Sequence, residues 1–169
     1  MIRAVALFCA CLTPCLALSA NSQTSGTERE IDQYSFRLGS AAAFSEMVSF
    51  GNKKLALSSA VSPEEMAELK DGLLRVMADQ GVMGTLETDL IVTDLFPADI
   101  AKGKHVMLIY KTESVLEEYQ TLKADKAALV EAGRYSGQAR EDIAWRFGRM
   151  LSYPDHDIAA KIAANSQSD

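Results

Sequence analysis

The pattern of apolar and polar positions predicts a mostly helical chain built around a small sheet. Two apolar runs, residues 90–92 and 106–110, are bounded by turn residues and are each too short for a stable helix. Both are therefore predicted to be buried strands, and a weaker strand is predicted over residues 53–58. Elsewhere apolar residues recur at helical spacing, so amphipathic helices are expected to cover the sheet.

Capping sequences mark several helix starts. Thr27, Ser62 and Ser114 each stand three residues before a glutamate, which is the pattern of a capping box. Pro63 suits the first position of the second helix. Three further helical stretches are expected, at residues 98–102, after Ser136, and at residues 155–164.

This element order predicts an α+β fold with a helical majority and a three-stranded sheet. The helix between the first two strands favours a parallel pair. The short connection between the second and third strands favours an antiparallel pair. Residues 27–164 are expected to form a single globular domain, followed by a polar tail over residues 165–169.

The first twenty residues have the layout of a secretory signal peptide. Arg3 precedes an apolar run over residues 4–18, and small residues lead to Ala20. A membrane anchor needs about 20 apolar residues, whereas this run is shorter and contains Pro14. Residues 1–20 are therefore predicted to be cleaved, leaving residues 21–26 as a disordered segment, no transmembrane segment, and a periplasmic or secreted product.

All three cysteines, Cys9, Cys11 and Cys15, lie within this predicted signal peptide. A lipid anchor on Cys15 is the alternative, although Pro14 suits such a cleavage site poorly. The mature chain would contain no cysteine, which excludes thiol nucleophiles and cysteine-based metal sites. The formal net charge of −6 at pH 7 repels phosphate backbones, so no nucleic-acid partner is expected.

A candidate ligand site follows the predicted strand at residues 90–92. Asp94 stands where that strand would end, and Lys102 or Lys104 could supply the opposite charge. The alternative is structural: Asp94 or Thr93 caps the next helical turn while Phe96 fills the core.

Basic and acidic residues near the C-terminus offer two further candidates. Arg146 and Arg149, with Arg140, form the main basic cluster, which could pair with acids of a neighbouring helix or bind an anionic partner. The weak metal candidates are Asp155, His156 and Asp157, but adjacent residues on a helix point in different directions. No HExxH motif is present, so neither a metal nor another cofactor is expected.

The sequence contains no GxSxG elbow, Walker loop or GxGxxG fingerprint, and no residue is assigned a catalytic role. The leading hypothesis is therefore a non-catalytic exported protein that binds a protein partner or a small ligand. One alternative is a small hydrolase that uses carboxylates, either Asp94 or those of residues 155–157. Another is a structural or stress-related envelope protein that works as a homo-oligomer.

Overall fold

A computed structural model describes residues 30–96 and 98–165, and all of its helices and strands belong to one compact unit that begins at Ile31. The elements within these residues are α1 (Gln33–Ser49), β1 (Leu55–Leu57), α2 (Pro63–Asp79), β2 (Met83–Glu87), α3 (Ala98–Ala101), β3 (Val106–Tyr110), α4 (Glu113–Glu131), α5 (Gly137–Met150) and α6 (Asp155–Asn165). This confirms the predicted class of a mostly helical α+β fold with a small sheet. The predicted signal peptide and the segment at 21–26 lie outside the described residues.

The sheet is antiparallel throughout, so the predicted parallel pair is wrong. Its strand order is β1-β3-β2, with Leu55 opposite Tyr110 on one side of β3 and Met83 opposite Tyr110 on the other. The crossover from β1 through α2 to β2 does exist, and the two strands run in the same direction. They are not neighbours, because β3 lies between them and hydrogen-bonds to both.

The position of the second strand also differs from the prediction. Residues 90–92 form no strand, and β2 lies earlier in the chain, at Met83–Glu87. β2 is half-buried along its whole length and contains Gly84, which resembles a turn residue in sequence. A side chain at Gly84 would collide with Met77 Sδ of α2, so this glycine lets the helix pack closely on the strand.

β3 is the centre of the fold, and its alternating side chains divide the core into two halves. Val106, Leu108 and Tyr110 pack into the half that contains α4, α5 and α6. Met107 and Ile109 pack into the half that contains α1 and α2. All five residues are buried, as the unbroken apolar run predicts for a strand covered on both faces.

The predicted capping box of α2 is present. Ser62 Oγ accepts a hydrogen bond from Glu65 N at 3.2 Å, and Ser62 N donates to Glu65 Oε2 at 3.0 Å. α1 instead begins at Gln33 with Asp32 as its N-cap, five residues later than the box at Thr27 predicts. No helix in the described part of the chain combines the length and the apolar character that crossing a bilayer requires.

Candidate functional site

The linking segment, residues 89–96, connects β2 to α3 and lies largely in the core. Leu90, Ile91 and Leu95 are buried, although none of the segment is helix or strand. The apolar character of residues 90–92 therefore predicted burial correctly and strand structure incorrectly. A buried segment without regular structure must find other partners for its backbone polar groups.

Side chains from α4 and α6 supply those partners. Tyr119 and Lys126 of α4 meet the middle of the segment, while Lys123 and Asn165 meet its two ends. The hydrogen bonds run from Ile91 N to Tyr119 Oη at 3.3 Å, from Lys126 Nζ to Val92 O at 2.6 Å, from Lys123 Nζ to Asp89 O at 2.5 Å, and from Asn165 Nδ2 to Asp94 O at 3.1 Å. These bonds take the place of the strand ladder that the sequence suggested.

Asp94 is held by an ion pair with Arg140 of α5. Arg140 Nε and Nη2 both donate to Asp94 Oδ1, at 2.9 and 2.5 Å. The side chain of Asp94 is 7% exposed and that of Arg140 is 31% exposed. A buried carboxylate is costly without such a partner, so Arg140 is what allows Asp94 to lie inside the protein.

Burial changes the acidity of the α4 side chains that meet the linking segment. The pKa of Lys126 is lowered, mainly because burial disfavours its charged form. The pKa of Tyr119 is raised above its usual range, again mainly because of burial. Lys126 Nζ also lies 5.2 Å from the centre of the Tyr135 ring. Tyr119 Oη accepts the hydrogen bond from Ile91 N, and Lys126 Nζ donates the hydrogen bond to Val92 O.

A surface groove of about 400 Å³ runs between the linking segment and the second half of α4. Its apolar lining includes Val92, Ala127 and Val130, and charged side chains stand at its edges, including Lys126 and Glu131. The groove has room for a small amphipathic ligand. The groove leaves part of the linking segment open to solvent.

The structure does not pair Asp94 with the lysines that the sequence suggested. In the described residues the salt-bridge partner of Asp94 is Arg140, which the sequence analysis placed only in the basic cluster. Lys102 is exposed and Lys104 is half-buried. Leu95 N donates to Thr93 Oγ1 at 3.3 Å, so Thr93 stabilises the local turn. A ligand role for the two lysines stays a prediction.

The C-terminal arginines each face an acidic side chain. Arg146 Nη2 lies 2.7 Å from Asp125 Oδ2 of α4, as the pairing alternative expects. Arg149 Nε lies 3.5 Å from Asp155 Oδ1, and its guanidinium lies 5.2 Å from the centre of the Trp145 ring. These contacts partly neutralise the cluster, and a role for either arginine in binding an anion stays a prediction.

The weak metal candidates lie together at the start of α6. His156 is 81% exposed, and its Nε2 lies 3.3 Å from Asp157 Oδ1, while Asp155 is engaged by Arg149. Within residues 30–96 and 98–165, no three His, Cys, Asp or Glu side chains are grouped so that they could hold a metal ion.

A second candidate surface is the outer face of α1, which we define as Phe36, Gly39, Ala43, Met47 and Phe50. All five residues are exposed, and the large side chains are exposed by 58%, 37% and 75% for Phe36, Met47 and Phe50 respectively. The opposite side of the helix, with Ala41, Ser45 and Val48, is buried. α1 therefore has one apolar side in the core and another in solvent.

The apolar pattern of the sequence did not reveal this outer face. Ile31 and Tyr34 are also exposed, by 62% and 45%. The signal that could have revealed the face is the seven-residue interval joining Phe36, Ala43 and Phe50. Seven residues are nearly two helical turns, so these three side chains share one side of the helix.

Comparison of the chain with protein-family models, with curated proteins and with solved structures finds no match.

Proposed function

We propose that this chain is an exported, non-catalytic protein that acts by binding another protein through the outer face of α1. The observation that carries the proposal is the concentration of exposed apolar side chains. Three of the seven large apolar side chains that are exposed in the described residues, Phe36, Met47 and Phe50, lie on this one face. Scattered apolar residues on a surface are normal, but a contiguous apolar patch is typical of an interaction site.

The fold does not need this apolar surface. Ala41 and Val48 already anchor α1 against the sheet and α2, so Phe36 and Phe50 could be polar without loss of core packing. An amphipathic surface helix normally carries polar residues on its outer side. Apolar residues there point to a partner that covers them.

The ion pair between Asp94 and Arg140 favours a binding role over hydrolysis by Asp94. Asp94 accepts two hydrogen bonds from Arg140, and its side chain is buried. A carboxylate that acts as general base or nucleophile must reach its substrate, and this one is turned towards a structural partner. We therefore rank hydrolysis by Asp94 below protein binding.

A second candidate function is the binding of a small amphipathic ligand in the groove beside α4. The groove is favoured by its volume of about 400 Å³ and by Val130, which is 55% exposed at its lining. The cationic groups there are already hydrogen-bonded to Asp89 O and Val92 O. A ligand that uses them would have to share them with the backbone, so this candidate ranks second.

The proposed export rests on the layout of residues 1–20, and it places the protein in the periplasm or outside the cell. The acidic net charge of −6 disfavours a nucleic-acid partner.

Photo-crosslinking in the cells that express the protein tests this function. p-Benzoylphenylalanine at position 50 replaces one exposed aromatic ring by another, and the same group at position 130 is the matched control on an exposed apolar site of α4. We expect a discrete intermolecular adduct from position 50, in the envelope or secreted fraction, and none from position 130. Intact mass of the unlinked protein should be about 20 residues short of the full chain. The absence of any adduct at position 50 would contradict the binding role.

A further inference from the structure

The outer face of α1 has a symmetric arrangement about Ala43. Phe36 and Phe50 stand seven residues to either side of it, and Gly39 and Met47 stand four residues to either side. Phe50 closes the helix in a right-handed helical conformation, with φ −83° and ψ 0°, so the face continues to its last residue. At 1.5 Å per residue, the face is about 21 Å long.

Such an arrangement is complementary to itself in an antiparallel pair. A two-fold axis at Ala43 places each residue beside the one equally distant on the other side, as an isologous contact requires. Phe36 of one copy meets Phe50 of the other, and the long side chain of Met47 meets Gly39. Ala43 meets its own equivalent, and its small side chain lets the two helices approach closely.

The outer face also lacks the charges that would oppose self-association. Between Phe36 and Phe50 the charged residues are Arg37, which pairs with Glu65 of α2, and Glu46, which flanks the face. In the antiparallel arrangement the two copies of Glu46 stand six residues apart along the pair, about 9 Å, where exposed charges are largely screened by salt. Depletion of charge at the centre is characteristic of protein–protein interfaces.

We propose that the partner of the outer face of α1 is a second copy of this chain, which pairs with it antiparallel about Ala43. This proposal rests on the binding function given above and specifies its partner. It also matches the homo-oligomeric alternative that the sequence left open.

The area of the face sets the expected strength of the dimer. An aromatic side chain has roughly 150–250 Å² of surface, and Phe36 and Phe50 are 58% and 75% exposed. The four rings of a dimer therefore contribute roughly 500 Å², and the flanking residues of both helices add to it. Stable interfaces bury about 1,200–2,000 Å² in total, so the rings alone supply less than half of that area, and we expect a weak dimer that forms at high protein concentration.

Sedimentation equilibrium of the purified, naturally processed protein over about 1–500 μM tests the pairing. Gly39→Met is the decisive variant because a Cβ at position 39 meets no other atom within 4 Å in the single chain, and methionine favours helix more than glycine does. The monomer should therefore fold normally. In the dimer the new side chain would collide with Met47 of the second copy, and we expect the Kd to rise at least about tenfold.

Exchanging the large and the small residue between positions 39 and 47 distinguishes this pairing from other modes of association. Met47→Ala alone should also weaken the dimer, whereas the double variant Gly39→Met with Met47→Ala restores one large and one small residue and should return the Kd to within about threefold of the original. Val130→Ser, which removes an exposed apolar side chain from α4, should leave the Kd unchanged.

The outcomes distinguish this proposal from the function on which it rests. A monomer at all concentrations, together with a position-50 adduct whose mass is not that of two chains, would overturn self-pairing and leave protein binding intact. A crosslink from position 50 to residues 1–29 of the same chain would likewise overturn it. A dimer that is insensitive to Gly39→Met would show that the copies pair elsewhere. No adduct and no dimer would remove the binding function as well.

Discussion

The linking segment and the outer face of α1 differ in two properties, the regularity of the backbone and the burial of the apolar side chains. The linking segment has buried apolar side chains but an irregular backbone, so its backbone polar groups need hydrogen-bond partners from other elements. The outer face of α1 has a helical backbone that satisfies its own hydrogen bonds, but its apolar side chains are exposed. In the first region the protein supplies the missing partners from α4, α5 and α6. In the second, nothing in the described residues covers the apolar surface.

This difference shows where a chain's polar side chains are needed to complete the fold. Burying an irregular segment is possible only when each backbone group finds a partner, and an unsatisfied group costs about 1–3 kcal/mol. Tyr119, Lys126 and Asn165 are committed to that task. An exposed apolar helix face has no such cost within a single chain, which is why it can be reserved for a second molecule.

The largest effect should come from Arg140. Arg140→Ala leaves the buried carboxylate of Asp94 without its partner, and breaking a buried ion pair costs about 3–5 kcal/mol. We expect the lower end of this range because the Arg140 side chain is 31% exposed. Chemical denaturation measures the loss in free energy of unfolding.

Arg146→Ala is the matched control for this substitution. Arg146 pairs with Asp125, and both side chains are nearly half exposed, at 45% and 46%. Exposed ion pairs contribute at most about 1 kcal/mol. Equal losses for the two arginines would show that Asp94 does not depend on Arg140 and would remove the distinction between the linking segment and the rest of the surface.

The second effect concerns Lys126, which holds the middle of the linking segment. Lys126→Met keeps the aliphatic chain but removes the hydrogen bond to Val92 O, and we expect a loss of about 1–3 kcal/mol. Burial already disfavours the lysine's charge, as its lowered pKa indicates, so the loss should lie towards the smaller value. Lys102→Met, at an exposed position, should change stability by less than about 0.5 kcal/mol.

The two regions also differ in how far the sequence reveals them. The α2 capping box and β3 were predicted correctly from local signals, a four-residue pattern and an uninterrupted apolar run, although the same four-residue pattern misplaced the starts of α1 and α4. The linking segment was mistaken for a strand because apolar character predicts burial without specifying hydrogen-bond partners. Asp94 and Arg140 are 46 residues apart in sequence, and no local pattern connects them.

The sheet shows the same limitation at the level of topology. β2 was missed because Gly84 interrupts it and because a half-buried edge strand has weak alternation. The pairing was predicted from the connection lengths alone, which cannot show that β3 enters between β1 and β2. The outer face of α1 was missed because helical spacing gives two apolar sides in this helix, and only the packing of α2 and the sheet decides which side is buried.

The smallest effect should come from the α2 capping box, which belongs to neither region and serves as the local reference for them. Ser62→Ala removes the oxygen that accepts from Glu65 N at 3.2 Å, and loss of such a cap costs about 1 kcal/mol. Ser136→Ala is the matched control: Ser136 occupies the same position before α5 but makes no capping hydrogen bond through its side chain. Chemical denaturation should therefore find almost no loss for Ser136→Ala. Similar losses for both variants would mean that serine stabilises these positions through the unfolded chain rather than through the cap.

Glu65, the other residue of the α2 capping box, responds to pH. The box can therefore also be tested by measuring the free energy of unfolding at different pH values. The pKa of Glu65 is lowered from 4.5, first because Ser62 N donates to its carboxylate and next because Arg37 does. Because the folded pKa lies below the unfolded one, the contribution of Glu65 is complete above about pH 4.5 and is lost as the pH falls through the lowered value. Glu65→Gln should therefore lose less stability than the unmodified protein between pH 5 and pH 3. The slope should not vanish, because the pKa values of Asp32 and Glu64 are also lowered and act in the same direction. An unchanged slope would show that the carboxylate of Glu65 does not hold the start of α2.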